Sequence, residues 1–275
     1  MKSIFSVFLI LLFVSCSSDD DPVIDYKEEN EKEIQAYIEA HNLDATRTDS
    51  GLYYVIDEKG EGAGISSNSD VSVRFKGTYT DGKLIEENNV GVSMPVSEML
   101  PGWAEGIQFF NEGGKGMVLI PYHLSFGNGN SSGIPKGSVI IVEFEVIDYD
   151  VENREEILEY IEDNDLDAIE SGSGLFYVIE EEGSGEHPSA TSNVTVVYRG
   201  YFTDGELFDQ SPPTGVALDL DKVIPGWTEG IQYFKEGGSG QLLIPSSLGY
   251  GRYGNQDIPG GSVLVFQVSL TKINS

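Results

Sequence analysis

A segment of 17 residues occurs twice in this chain, and this internal repeat constrains the fold more than any other feature. Leu100–Gly116 and Ile224–Gly240 are identical at 12 of 17 positions, and the only two tryptophans, Trp103 and Trp227, occupy matching places. A repeat of about 120 residues is too long for the unit of a solenoid or a propeller and has the size of a small globular domain. The sequence therefore predicts two copies of one domain.

The predicted layout has four parts. Residues 1–15 form a signal peptide, 16–26 an acidic tether, 27–150 the first domain (copy one) and 151–275 the second domain (copy two). Removal of the signal leaves about 260 residues, which fits two domains of roughly 100–120 residues with connectors. Cys16 is the only cysteine, so each domain has to be held by its own core and not by disulfides.

The first residues are typical of an export signal. Lys2 precedes an apolar run, Ile4–Val14, that is too short to cross a bilayer as a helix. Phe13-Val14-Ser15-Cys16 resembles a bacterial lipobox, in which the cysteine becomes the lipid-modified first residue; the alternative is an ordinary secretory signal. The resemblance implies a protein anchored by lipid on Cys16 in the bacterial cell envelope, at the outer membrane, facing the periplasm or the surface. Ser17–Asp21 is a solvated linker or, alternatively, a marker for transport to the outer leaflet.

The chain is strongly acidic, with 46 Asp and Glu against 16 Lys and Arg and a net charge of −30. Such a surface repels nucleic acid and anionic lipid headgroups, so nucleic-acid binding is excluded and membrane contact is expected only through lipid on Cys16. The histidines, His41, His123 and His187, lack metal-ligand spacing, and no hydrolase or P-loop motif is present. We therefore expect neither a metal nor a cofactor.

Each copy opens with a short helical pattern that is followed by strand patterns. Apolar residues recur at three- and four-residue spacing in both segments: Ile34, Tyr37 and Ile38 in copy one, and Ile157, Tyr160 and Ile161 in copy two. This stripe is expected to dock on the domain that follows it, the alternative being a partner-binding helix. Beyond it, aromatic and β-branched residues alternate with period two and lead into Asp-Gly turns, which indicates antiparallel strands.

The repeated tryptophan segment predicts one short, one-sided helix in each domain. Trp227, Ile231 and Phe234 lie at i, i+4 and i+7, with Pro225 before them and Gly237 after them. The last strand pattern places four apolar residues on one face: Leu264, Phe266, Val268 and Leu270. Many antiparallel strands around one short helix give an α+β domain.

Several dispersed elements follow one another in copy two. A tyrosine-bearing strand and an Asp-Gly turn precede Phe208-Asp209, then Val223–Trp227, and finally a loop with Tyr250-Gly251 and Ile258-Pro259. This order resembles the FKBP family of peptidyl-prolyl isomerases, over about residues 51–148 and 174–273. The resemblance implies an antiparallel sheet of five to six strands curled around a short helix, with an apolar active-site cleft between sheet, helix and loops.

The resemblance also implies the cleft residues of copy two. The catalytic residues would be Tyr198, Asp209 and Tyr250, and the substrate-binding residues Phe208, Val223, Ile224, Trp227, Ile258 and Phe266. Trp227 would form the floor beneath the substrate proline, the Ile224 N–H and the Tyr250 hydroxyl would donate to substrate carbonyls, and Asp209 would lie beside the rotating amide. In some members an arginine after the aspartate steadies the carboxylate; here Gln210 follows it.

Copy one departs from this pattern. Its corresponding positions are Phe75, Ile85, Glu86, Met99, Leu100, Trp103, Phe126, Ile134 and Val142. Both tyrosine hydroxyls are lost, the Phe-Asp pair becomes Ile-Glu, and one aromatic wall shrinks to valine. Fewer hydrogen-bond donors and less aromatic surface predict a weak or inactive cleft.

The function predicted from these residues is cis–trans isomerisation of X–Pro bonds in extracytoplasmic proteins, carried mainly by copy two. Its partners are proline-containing polypeptides, and rotation of an amide needs no nucleophile, metal or cofactor. The alternative is a non-catalytic chaperone or scaffold that binds proline-containing or apolar segments. Ordinary core packing explains buried aromatic residues equally well, but Asp209 and the hydroxyls of Tyr198 and Tyr250 suit a cleft wall better than a sealed core.

Overall fold

A computed structural model of the protein describes residues 24–128 and 133–274. The predicted signal peptide, the predicted lipidation site Cys16 and the acidic residues Ser17–Asp21 lie outside these ranges. Within them, no helix combines the length and the apolar character that crossing a bilayer requires.

Copy one is an antiparallel sheet with two helices. In the described residues its elements are α1 (Lys27–His41), β1 (Thr46–Arg47), β2 (Tyr53–Glu58), β3 (Asp70–Thr78), β4 (Leu84–Pro95), α2 (Pro101–Ile107), β5 (Lys115–Ile120) and β6 (Ile140–Val146). The six strands pair in the order β1-β2-β5-β6-β3-β4, and every pair is antiparallel. This confirms the predicted α+β class and its sheet.

Copy two repeats this architecture with one strand more. Its described elements are α3 (Tyr149–Asp163), β7 (Ile169–Glu170), β8 (Phe176–Glu181), β9 (Asn193–Tyr201), β10 (Leu207–Gln210), β11 (Val216–Asp219), α4 (Pro225–Gly230), β12 (Ser239–Ile244) and β13 (Leu264–Asn274). The order is β10-β9-β13-β12-β8-β7, and β11 also pairs with β9. The domain boundary predicted between residues 150 and 151 falls in the first turn of α3.

The additional strand arises because the edge strand of copy two is interrupted. In copy one β4 continues as one strand along β3, with a shift of register between Asn88 and Val92, whereas in copy two β10 ends at Gln210 and β11 begins only at Val216. Pro212 and Pro213 lie between them. Proline has no backbone N–H to give to a strand ladder, so two consecutive prolines end the pairing. The interruption follows directly after the predicted catalytic Asp209.

The helical segment that precedes each domain packs on the outer face of that domain's own sheet. In copy two Ile157 is fully buried against Phe176, Leu243 and Val265, with Tyr160 and Ile161 beside it. Ile34 of copy one makes the equivalent contacts, with Tyr37 and Ile38 packed alongside. Burying one such side chain contributes about 1.5–3 kcal/mol. Docking on the following domain, predicted from the apolar stripe, is confirmed for both copies.

The tryptophan helix lies on the opposite, inner face of the sheet. Trp227 in α4, followed by Ile231 and Phe234, is buried against the inner face of β13, as predicted from the i, i+4, i+7 spacing. Gly230 explains how the helix comes so close to β12, because a Cβ there would lie 2.6 Å from the Leu242 side chain. The inner face, the helix and the loop between β12 and β13 enclose the predicted cleft.

Candidate active site

Four aromatic rings from four different elements meet at the inner face of copy two. Tyr198 on β9 lies 5.0 Å from Trp227 between ring centroids, Trp227 lies 5.1 Å from Phe266 on β13, and Phe266 lies 5.4 Å from Phe208 on β10. The interplanar angles are 84°, 88° and 90°, so each pair is edge-to-face. This geometry places the positive edge of one ring against the negative face of the next and is favoured over face-to-face stacking. The result is a continuous row of aromatic rings, with the Trp227 indole between Tyr198 and Phe266.

Gly200 makes this cluster possible. It lies on β9 opposite both Phe266 and Asp209, between the two strands that supply the wall. A Cβ at this position would lie 2.7 Å from the rings of both Phe208 and Phe266, closer than carbon atoms approach. Sequence reasoning passed over Gly200, although glycine within a strand pattern is a sign of close approach by another group.

The Asp209 carboxylate is held by two donors. The Tyr198 hydroxyl donates to Oδ2 at 2.6 Å, and the backbone N–H of Gln210 donates to Oδ1 at 2.8 Å. Burial and, next, the hydrogen bond to Asp209 raise the pKa of Tyr198 well above its usual value, so the hydroxyl keeps its proton. This arrangement explains how the carboxylate is fixed although no arginine follows it. The residue that holds Asp209 is a wall residue of the cleft itself.

Two donors at the cleft have no acceptor among the residues that the structure describes. The Ile224 N–H immediately precedes α4 and is not used by the helix, and the Tyr250 hydroxyl is likewise without an intramolecular partner. Tyr250 is 41% exposed, and burial and, next, the negative charge of Asp209 raise its pKa. Within the same described part of the chain, the buried indole nitrogen of Trp227 is also unpaired. A peptide carbonyl entering the cleft would meet unused donors.

The nine residues predicted for copy two lie together. Seven of them belong to one packed cluster: Tyr198, Phe208, Val223, Ile224, Trp227, Ile258 and Phe266. Asp209 joins the cluster through its hydrogen bond to Tyr198, and Tyr250 through its electrostatic interaction with Asp209. Their catalytic and binding roles remain predictions.

Copy one keeps the floor of this site and changes its wall. Eight of its nine predicted residues pack together: Phe75, Ile85, Met99, Leu100, Trp103, Phe126, Ile134 and Val142. Glu86 and its counterpart Asp209 are both exposed, but Phe75 has no hydroxyl with which to hold Glu86. The Phe75 and Trp103 rings remain 5.1 Å apart.

An aromatic ring that was not among the predicted site residues lies below Trp103. Phe144 stands one step further along the inner face of β6 than Val142, and its ring lies 6.1 Å from Trp103 and 4.9 Å from Phe110. In copy two the corresponding residue is Val268, so the large ring is at the cleft wall and the small side chain in the core. Copy one reverses these sizes, which fills the core and leaves the wall thin.

Part of the chain is similar in sequence to known proteins. FkpA of Escherichia coli K12, an FKBP-type peptidyl-prolyl cis-trans isomerase, is 46% identical over 105 residues, which are 38% of this chain and 39% of that protein. The relative of the same name from Aeromonas hydrophila is 42% identical over 127 residues, or 45% of this chain and 47% of that protein. The chain thus spans less than half the length of these relatives. The crystal structure of FkpA from Escherichia coli is 39% identical, covering 45% of this chain and 60% of that one, with a TM-score of 0.42.

The family match extends over both copies. Residues 62–147 and again 184–271 match the family described as FKBP-type peptidyl-prolyl cis-trans isomerase, and together they make up more than half of the chain. Both stretches contain the tryptophan helix, the predicted cleft residues and most of the strands described above. The chain therefore belongs to the FKBP-type peptidyl-prolyl cis-trans isomerase family.

Proposed function

We propose that this protein catalyses cis–trans isomerisation of X–Pro bonds and that the cleft of copy two carries the activity. The observation that supports this most directly is the Asp209 carboxylate, which Tyr198 orients at the rim of an aromatic cluster. The same cluster includes Ile224, whose N–H has no acceptor in the described residues. Asp209 and Tyr250 are exposed, so these polar groups lie beside the aromatic cluster where an incoming peptide can reach them.

The chemistry requires only that the twisted amide is bound better than either planar isomer. The planar X–Pro amide is stabilised by resonance, and rotation crosses a barrier of about 18–20 kcal/mol. Water favours the planar form through hydrogen bonds to its negatively polarised oxygen, and an apolar wall removes that water. Edge-on rings fit the proline, and the Ile224 N–H and Tyr250 hydroxyl hold neighbouring carbonyls in place. Lowering the barrier by about 5 kcal/mol speeds exchange by roughly 10³–10⁴-fold.

Asp209 contributes through its charge. In the twisted amide the carbonyl oxygen has lost part of the negative charge that resonance gives it. A carboxylate fixed beside that oxygen repels the planar form more than the twisted one, which favours the transition state electrostatically. The hydrogen bond from Tyr198 matters because a carboxylate free to swing into water would not exert this effect.

The non-catalytic holder remains the second candidate, and copy one favours it for its own half of the molecule. Trp103, Phe75 and Phe126 keep an apolar floor, while the tyrosine hydroxyls and the held carboxylate are absent at the matching positions. We propose that copy one binds proline-containing or apolar segments weakly, or not at all, and adds little to the rate.

A protease-coupled isomerisation assay on the full chain tests the catalytic proposal. Asp209→Ala should lower kcat/KM by more than about tenfold, because the electrostatic contribution of a fixed charge is lost. Its matched control is Glu86→Ala in copy one, which should change the rate by less than about twofold. Equal losses in the two variants would contradict the assignment to copy two. Binding of a prolyl peptide without any acceleration by the wild type would establish the holder instead.

We further propose that the protein resides in the cell envelope, held at the outer membrane by lipid on Cys16. The apolar run before Cys16 and the acidic residues after it support this location. Membrane fractionation compares the wild type with Cys16→Ser, which should release the protein from the membrane fraction. Protease treatment of intact cells then separates a surface-facing protein, which is digested, from a periplasmic one, which is protected.

A further inference from the structure

The loop between β12 and β13 carries Tyr250 and Ile258, and its base is held within copy two. Asn153 of α3, 2% exposed, accepts a hydrogen bond from the Ser246 N–H at 2.7 Å and donates to the Gly261 carbonyl at 2.8 Å. One buried amide therefore ties both ends of the loop to the helix. Copy one has the same device, in which Asn30 joins the Tyr122 N–H and the Gly137 carbonyl.

The tip of the same loop is held by copy one. Arg252 donates to the Glu112 carboxylate at 2.7 Å, across 140 residues of sequence. The backbone carbonyl of Arg252 accepts a hydrogen bond from the Ser93 hydroxyl at 2.7 Å, and Ser93 in turn lies 2.7 Å from the hydroxyl of the fully buried Ser72. Both the side chain and the main chain of one loop residue are thus fixed by the other domain.

These contacts are shielded from water. The Arg252 and Glu112 side chains are 28% and 19% exposed, so solvent and salt weaken the pair less than they would weaken one on the open surface. The chain of hydroxyls from Ser72 ends on the β3–β4 ladder, a rigid part of the sheet.

A second contact fixes the two domains near the linker. Arg74 of β3 donates to both carboxylate oxygens of Glu152 in the first turn of α3, at 2.7 and 2.9 Å. Two parallel hydrogen bonds set direction as well as distance. Asn153, which holds the base of the Tyr250 loop, belongs to α3. Copy one therefore fixes the base of this loop through α3 and its tip through Arg252.

The position of Tyr250 depends on this framework. Its hydroxyl has no intramolecular acceptor in the described residues, and 41% of the residue is exposed, so the ring is placed by its backbone. Only Gly251 separates it from Arg252, with φ at +68°, a left-handed conformation that glycine adopts without strain. A loop tip without such contacts would sample many conformations, and a substrate would have to select the competent one.

We propose that copy one serves as the platform that positions the Tyr250 loop of copy two, with Arg252 as the positioning residue and Glu112 and Ser93 as its receptors. The degenerate copy then has a role that needs no activity of its own. The proposal rests on the isomerase function proposed above for copy two.

The test uses the full chain and substitutions that lie away from the cleft. Three single variants remove the contacts one at a time: Glu112→Gln, Ser93→Ala and Arg252→Ala. The matched control is Arg154→Ala, because Arg154 forms an exposed 2.9 Å ion pair with Glu170 within copy two. Two readouts are compared: amide hydrogen exchange of residues 249–253, and kcat and KM in the isomerase assay. Tryptophan fluorescence and circular dichroism verify that each variant is folded.

We expect loop exchange to rise about tenfold in Glu112→Gln and Arg252→Ala, with kcat/KM lowered about fivefold, mostly through KM. The double variant that combines Glu112→Gln with Arg252→Ala should lose no more activity than Arg252→Ala alone, since both substitutions remove the same ion pair. The reversed pair, Arg252→Glu with Glu112→Arg, should restore part of both readouts. Ser93→Ala should raise exchange without touching the ion pair, and Arg154→Ala should change nothing.

Unchanged loop exchange would overturn the proposal, whatever the activity. A variant with increased loop exchange but wild-type kcat and KM would overturn it as well, because the lost contact would then have no effect on how the loop meets the substrate. An inactive wild type would refute the proposed isomerase function alone; the exchange measurement would still decide whether copy one holds the loop.

Discussion

The two domains share a floor and differ in the wall above it. Trp103 and Trp227 each occupy the first turn of a short helix, are 6% and 4% exposed, and carry an indole N–H without an acceptor in the described residues. Two rings contact the tryptophan in each copy, but in copy two both belong to the wall, Tyr198 and Phe266, whereas in copy one Phe144 lies below the tryptophan, toward the core. The repeated motif therefore specifies the packing of a helix on a sheet, and the residues outside it decide what the cleft can do.

A second difference concerns the edge strand beside the cleft. Glu86 pairs with Gly77 within β4, which continues past it as one strand, and Phe75 offers no hydroxyl to support its carboxylate. Asp209 lies at the end of a strand that two prolines interrupt, and it is held by Tyr198 and by the N–H of Gln210. The carboxylates at matching positions thus differ in the hydrogen bonds that hold them as well as in side-chain length. The predictions that follow transfer residues of copy one into copy two, or exploit space that only one copy has.

Phe266→Val should have the largest effect, because it gives copy two the side chain that copy one has at Val142. The Phe266 ring contacts Trp227, Tyr198 and Phe208, so its removal opens the wall to water. We expect kcat/KM to fall about 100-fold, since about 2–3 kcal/mol of packing against the proline is lost. Val142→Ala, measured in the same isomerase assay, is the control and should leave the rate within about twofold. A similar fall in both variants would show that the two clefts contribute alike.

Gly200→Ala tests whether close approach of the rings is required. The added methyl group would lie 2.7 Å from Phe208 and Phe266, whereas the same change at Gly77 of copy one meets nothing nearer than 3.6 Å. Crowding of this kind costs about 1–3 kcal/mol, which corresponds to a loss in kcat/KM of roughly 30-fold if the wall is displaced. Urea unfolding and the isomerase assay are compared for the two variants. If Gly77→Ala destabilises as much as Gly200→Ala, the aromatic wall is not the reason for the glycine.

Patterns within short stretches of the sequence predicted most of this fold, because helix and strand periodicity depends on residues that are close in sequence. The period-two strands, the i, i+4, i+7 spacing at Trp227 and the apolar stripe at Ile157 depend only on neighbours in sequence, and each is found where it was expected. The order of the FKBP elements was sufficient to group the nine cleft residues. The strand count of copy two was underestimated by one, although Pro212 and Pro213 were visible as ladder breakers.

The contacts that the sequence could not predict join residues with no pattern in common. The Tyr198–Asp209 hydrogen bond depends on side-chain directions on two adjacent strands, which periodicity does not determine. The Arg252–Glu112 pair links a loop to another domain, and one arginine among many carboxylates gives no indication of its partner. Both contacts depend on tertiary geometry that only the folded chain supplies.

Tyr198→Phe should lower kcat/KM by about tenfold, the value of a hydrogen bond to a charged group. The substitution supplies the residue found at Phe75 and leaves the ring contact with Trp227 in place, so the loss isolates the hold on Asp209. Because the pKa of Tyr198 is raised, the hydroxyl stays protonated through neutral and mildly alkaline pH, and the effect should be constant there. A change in KM alone would indicate a binding role and contradict orientation of the carboxylate. Phe75→Tyr is the control in copy one and should add no activity, since Val142 leaves the wall incomplete.

Tyr250→Phe should have the smallest effect of the series, about fivefold and mostly in KM, because one neutral hydrogen bond contributes about 1 kcal/mol net. The residue is 41% exposed, so water competes for its hydroxyl before substrate arrives and limits what the bond can add. Phe126 is the natural form of this substitution in copy one, and Phe126→Tyr should leave the isomerase rate unchanged. A loss near 100-fold at Tyr250 would mean that the hydroxyl acts on the reacting amide itself, and it would move this residue from holding the peptide to the centre of the reaction.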